Sequence, residues 1–96
     1  MNIDFNKKDG ELTVTIDGRL DTLTAPELES FLVSNYEGVE ALIFDCDKLV
    51  YISSAGLRVL LTAHKRFKGA MKLINVNELV MEIFEMTGFA DTWEIE

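Results

Sequence analysis

Apolar side chains alternate at Ile3 and Phe5 and again at Leu12, Val14 and Ile16, with Lys8-Asp9-Gly10 between the two runs. A period of two puts these side chains on one face of extended chain, and Asp-Gly supplies the positive φ of a tight turn, so the opening predicts a β-hairpin with one buried face. The period changes after Gly18-Arg19-Leu20-Asp21. Leu28, Phe31, Leu32 and Tyr36 fall at helical spacing, preceded by Thr24-Ala25-Pro26-Glu27 and followed by Gly38. Threonine at the cap, proline in the first turn and glutamate three residues on form a capping box, and glycine closes the helix. The continuous run Ala41-Leu42-Ile43-Phe44, carried on to Cys46, predicts a strand covered on both faces. Leu57, Leu60, Leu61 and His64 predict a second helix from Ser53-Ser54 to Phe67, stopped by Gly69. A strand over Met71–Val76 and a third helix capped by Asn77 follow. That helix carries Leu79, Val80, Ile83, Phe84 and Thr87 on or beside one face and is closed by Gly88. Phe89, Trp93 and Ile95 end the chain as a short edge strand or a packed tail.

The predicted order is β-β-α-β-α-β-α-β. It implies an α/β fold, a mixed but mostly parallel sheet of about five strands packed with roughly three or four helices, as one domain over residues 1–96. Nearly half of the 96 residues are apolar, enough for one small core.

Charge narrows the partners. The net charge of −8 argues against nucleic acid, whose recognition needs a clustered excess of Lys and Arg. The cations Arg58, Lys65, Arg66, Lys68 and Lys72 nevertheless gather in one stretch, and from Asn77 onward there are acids and no cations. Two faces of opposite character are expected, either solvated or docked to a partner. No apolar stretch has signal-peptide or membrane-spanning character, so no membrane insertion is expected and the cytoplasm is the expected compartment. Cys46 is alone and ends a strand, a small core side chain rather than a reactive thiol.

Candidate chemistry is sparse. His64 is the only histidine and lies on the apolar side of a helix; no Cys/His cluster has zinc spacing, and no nucleophile elbow or glycine-rich nucleotide loop is present. Asp45 and Asp47 make a weak pair for a hard cation. The chain therefore reads as non-enzymatic, without cofactor or metal. What remains is Ser53-Ser54 at a strand-to-helix junction, where a hydroxyl can cap the free N–H groups of the first turn or carry a phosphate against them. Arg58, one turn after Ser54, could brace such a phosphate, since helical side chains lean toward the N-terminus. On the residues alone, cap and phospho-acceptor both stand.

The junction Val50-Tyr51-Ile52-Ser53-Ser54-Ala55-Gly56-Leu57-Arg58-Val59-Leu60-Leu61 resembles the signature of STAS domains, the anti-sigma factor antagonists of bacterial partner switching. The resemblance spans nearly the whole chain, taking in Gly18-Arg19-Leu20-Asp21, the Thr24–Glu27 helix start, the strand to Asp45, and Asn75-Val76-Asn77 through Thr87-Gly88-Phe89. It implies phosphorylation of Ser54, two residues before Gly56, by an anti-sigma factor that is also a serine kinase using ATP. The unphosphorylated protein would then bind the anti-sigma factor and free its sigma factor. A serine phosphatase would be a further partner. Asp21 matches a family aspartate near the same surface, and Asp21, Ser53, Ser54, Gly56, Leu57 and Arg58 form the expected contact set. Many antagonists carry aspartate where this chain has Ser53, which leaves Ser53 a second acceptor. STAS-like proteins also brace membrane transport complexes, including lipid transporters, without phosphorylation, and that structural-subunit reading is the alternative. A third reading, turnover of nucleotide phosphate, rests on weak nucleotide binding in some relatives, and no activity is expected.

Overall fold

A computed structural model describes residues 1–96. The hairpin forms, with strand β1 (Asn2–Lys8) antiparallel to β2 (Glu11–Leu20), but only β2 buries its apolar face; on the edge strand Ile3 is half-buried and Phe5 is 55% exposed, resting against the Phe31 ring at 5.1 Å. Asp9 and Gly10 both take positive φ at the turn. After β2 the chain gives helix α1 (Ala25–Asn35), β3 (Ala41–Asp45), β4 (Leu49–Ile52), α2 (Ser54–Phe67), β5 (Met71–Ile74), α3 (Glu78–Thr87), a short 3-10 turn (Phe89–Asp91) and β6 (Glu94–Ile95). The sheet runs β1-β2-β3-β5-β6, with β4 paired to the far end of β2, and every pairing except the hairpin is parallel.

The expected fold class holds, with one strand added. β4 is missing from the predicted order because its four residues do not alternate: Leu49 and Ile52 are buried three residues apart, with exposed Val50 and half-buried Tyr51 between them. β2 is long enough to serve two neighbours. Its first half pairs with β3, and after a register shift at Gly18 its last residues pair with β4, Leu20 opposite Ile52. Gly18 makes this bend at φ +109, a conformation that side chains resist.

One face of the sheet carries the core. In register, Leu12, Leu42 and Met71 lie side by side, as do Val14, Phe44 and Leu73. All six are buried and join one cluster with Leu28 and Leu32 of α1, Leu57 and Leu60 of α2, and Val80 and Phe84 of α3. This corrects the two-sided reading of β3: Leu42 and Phe44 are buried, but Ala41, Ile43 and Asp45 are only half-covered. The helices cover the face of Leu42 and Phe44, so an apolar run of this length here needed only one partner layer.

The predicted caps divide. Asn77 caps α3 by accepting from the Val80 N–H at 2.9 Å, and its amide donates to the Leu49 carbonyl at 2.7 Å, tying α3 to β4. Such a cap is worth about 1 kcal/mol. Gly88 closes the helix in the left-handed region. At α1 the capping box does not form. Thr24 makes no cap bond, and its hydroxyl instead donates to the Arg19 carbonyl at 2.7 Å and accepts from the Asp21 N–H at 2.8 Å. At the end of α2 it is Lys68, before Gly69, that takes the left-handed cap, its N–H bonding the His64 carbonyl. Leu79 is 55% exposed, off the buried face of α3. The tail packs as expected, Phe89 stacking on buried Trp93 at 4.5 Å and Phe84 meeting it edge-on at 5.3 Å.

Candidate functional site

Asp21 and Ser53 are far apart in sequence, and the parallel pairing of β2 with β4 makes them neighbours. The Ser53 N–H donates to the Leu20 carbonyl at 2.9 Å, so the start of α2 is fastened to the end of β2. The fastening depends on Gly56. A methyl group there would lie 2.7 Å from Leu20 Cγ and 2.9 Å from both Ile52 Cγ1 and the Leu20 carbonyl oxygen. Gly56 and Leu57 are buried, so both act through packing in the free protein.

The two serines differ in kind. Ser53 occupies the cap position in extended conformation, but its hydroxyl makes no cap bond; its Oγ is buried with no hydrogen-bond partner. Ser54 is the first helical residue and is exposed. With no side chain capping the turn, the first amide of α2 with an acceptor is that of Leu57, bonded to the Ser53 carbonyl at 2.9 Å. The amides of Ser54, Ala55 and Gly56 thus face out of the positive end of the helix, where negative charge is stabilised.

Asp21 sits in a stiff turn. One oxygen accepts from the N–H groups of Leu23 at 3.0 Å and Thr24 at 3.2 Å and lies 3.2 Å from the Thr24 hydroxyl oxygen, while the other faces Arg19 at 3.7 Å. Arg19 in turn lies over the Tyr51 ring at 4.3 Å, linking the turn to β4. Desolvation pushes the Asp21 carboxyl up, but the hydrogen bonds from Thr24 and Leu23, with the Arg19 charge, outweigh it and hold the group below its ordinary value of 3.8. A depressed folded value contributes stability above pH 3.8 that is lost as pH falls through the folded value. A carboxyl NMR titration is therefore expected to place the Asp21 midpoint below 3.8, and Asp21→Asn should remove its share of the acid-induced destabilisation. A midpoint at or above that value contradicts the turn geometry.

Arg58 is exposed and stands between two depressions. On one side Thr22, Pro26 and Glu29 face Ala55 and Arg58 across about 170 Å³. On the other, an apolar groove of about 310 Å³ is walled by Ser54, Leu57, Arg58 and Leu61 of α2 and by Thr87 and Phe89 beyond it. Of the expected contact set, Asp21, Ser53 and Ser54 lie at the linked ends of β2 and α2, and Arg58 stands one turn down. Thr87 and Phe89 were not singled out as site residues, since the spacing of α3 gives no sign of its position beside α2. Leu23, 84% exposed at the tip of the Asp21 turn, was also missed, because a single leucine in a turn has no period. The remaining chemical candidates are occupied structurally. Asp45 accepts from the Asp47 N–H and the Asn75 amide. Burial, then the Asp45 charge, pushes the Cys46 thiol up to about 12, away from nucleophilic chemistry.

The sequence profile of the STAS domain matches residues 2–96. The chain belongs to the STAS domain family. Among relatives of this STAS domain, the anti-sigma-B factor antagonist of Bacillus subtilis is 31% identical, covering 99% of this chain and 90% of its own. BtrV of Bordetella bronchiseptica, provisionally named an anti-sigma factor antagonist, is 32% identical over 99% of this chain and 85% of its own. The Bacillus anti-sigma factor antagonist SpoIIAA, solved unphosphorylated and phosphorylated, shares the fold with TM-scores of 0.77 and 0.75 at 12% and 13% identity. Those structures cover 99% of this STAS domain and 87% and 91% of their own chains. No helix of this STAS domain is long and apolar enough to cross a membrane.

Proposed function

We propose that this STAS domain is an anti-sigma factor antagonist, switched by phosphorylation of Ser54. The observation that carries the reading is the exposed Ser54 hydroxyl at an uncapped, positively polarised helix start. A hydroxyl that is modified rather than catalytic needs no general base of its own, because the kinase supplies one. The names of its relatives support the antagonist role. Burial of the Ser53 Oγ favours Ser54 as the acceptor, because a transferring phosphoryl group must reach the oxygen in line.

In this reading the anti-sigma factor is a serine kinase. It binds the surface formed by the Asp21 turn and the start of α2, with Ser53, Gly56 and Leu57 holding that surface in shape and Arg58 at its edge. Transfer moves the γ-phosphoryl group of ATP to Ser54 Oγ, leaves ADP, and passes the hydroxyl proton to the kinase's base. The phosphoserine carries close to two negative charges, which the first-turn amides and Arg58 stabilise within the domain and which oppose rebinding. A serine phosphatase resets the switch by hydrolysis. The domain itself is a binding module in the cytoplasm and needs no cofactor.

The test is incubation with the anti-sigma factor kinase of the same genome and ATP, with the phosphate mapped by mass spectrometry. Label on Ser54, absent from Ser54→Ala, is expected. Label that persists in Ser54→Ala would move the switch to Ser53 or elsewhere.

A further inference from the structure

The groove beneath Ser54 has features that phosphorylation alone does not use. Its floor is Leu57, Leu61 and Phe89, and Arg58 is the one charged side chain on its wall. Lys65 continues the same stripe of α2, one helical turn beyond Leu61. Helix α2 contains no acid, and neither Arg58 nor Lys65 is ion-paired within the chain, whose two salt bridges are Arg19–Asp21 and Lys72–Glu96. In a protein of net charge −8, two unpaired cations beside an apolar trough mark where an acidic partner can approach. No acidic side chain lines the groove to oppose it.

We propose that this groove between α2 and the end of α3 receives an acidic amphipathic helix of the anti-sigma factor. Its apolar side chains enter the trough at i, i+3 and i+7 spacing, and its carboxylates pair with Arg58 and Lys65. The identity of the partner rests on the function proposed above; the chemistry of the groove does not. The groove also explains how a phosphate could release the partner. Ser54 forms its upper wall, so a phosphoserine one turn from Arg58 would capture the guanidinium and set a dianion against the partner's carboxylates.

The experiment titrates the isotope-labelled full chain with a synthetic helical peptide bearing leucines at i, i+3 and i+7 and glutamates on its flanks. Chemical-shift changes are expected at Leu57, Leu61, Thr87 and Phe89. Binding should weaken about tenfold in the Arg58→Glu, Lys65→Glu double variant and in about 1 M salt, where screening shortens to roughly 3 Å. Thr87→Trp, which fills the trough from an exposed position, should also weaken it. The proposal is overturned by absent shifts, by shifts confined to the α1 side of Arg58, or by equal binding of a peptide with lysine for glutamate. It is also overturned if sedimentation shows the chain filling the groove itself through the exposed Leu79 and Met86 of its acidic α3. The peptide assay contains no kinase or ATP, so its failure leaves Ser54 phosphorylation standing, and failure of phosphorylation leaves the groove standing.

Discussion

Gly56→Ala is expected to destabilise the domain by about 2 kcal/mol, although glycine-to-alanine changes inside helices normally stabilise by up to about 1 kcal/mol. The sign reverses because the added methyl group would have to occupy space already filled at 2.7 Å and 2.9 Å. One obstruction is the Leu20 carbonyl oxygen, a backbone atom that cannot rotate aside. It is part of the peptide whose oxygen holds the Ser53 N–H. Overpacking of this kind costs about 1 to 3 kcal/mol, and a backbone obstruction falls at the upper end, so roughly 3 less 1 remains. In a domain of this size that lowers the melting temperature by about 10 °C. Thr62→Ala, on the exposed side of the same helix, is the control and should change stability by less than about 0.5 kcal/mol. A melting temperature that is unchanged or higher in Gly56→Ala would mean the β2–α2 junction yields easily. The same variant should weaken anti-sigma factor binding, because relief of the clash moves Ser54 away from the Asp21 turn.

That dependence shows what could and could not be read in the residues. Periodicity located all three helices and five of the six strands, because long alternating or helical runs are fixed by the face they bury. It missed β4, since the four residues from Leu49 to Ile52 are too short to establish a period and gain their strand character by pairing with β2. The Thr24 box failed for a related reason. Its hydroxyl had a nearer claim in the Asp21 turn, and local side-chain bonds of this kind compete with caps. The Ser53-Ser54 junction was legible as a place where a helix begins with its amides free. That Ser53 would turn its hydroxyl inward without a partner depends on packing against neighbours distant in sequence. The groove at Phe89 was illegible for the same reason, because α2 and the end of α3, separated in sequence by β5, are brought side by side only by the fold.

Ser54→Asp is expected to reduce affinity for the anti-sigma factor by about a hundredfold while moving the melting temperature by no more than a few degrees. The two effects separate because the carboxylate faces different surroundings in each state. In the free domain it lies at the exposed start of α2, against unbonded first-turn amides and one turn from Arg58, where a negative charge contributes about 0.3 to 1 kcal/mol of stability. In the complex it would be desolvated against a surface that receives a neutral hydroxyl. An unpaired charge in an interface costs about 2 to 5 kcal/mol, and about 3 kcal/mol corresponds to a hundredfold. Ser54→Ala removes the hydroxyl without adding charge and should retain binding to within about 0.5 kcal/mol. Ser53→Ala supplies the structural comparison. Replacing a working serine cap costs about 1 kcal/mol, but the Ser53 Oγ makes no bond to lose, so its loss should be close to neutral. Calorimetric titration of the four proteins, with thermal melts alongside, distinguishes a switch from a cap. Equal affinity of Ser54→Asp and the unmodified chain would remove the charge mechanism, and a large loss of stability in Ser54→Asp would return Ser54 to a purely structural role.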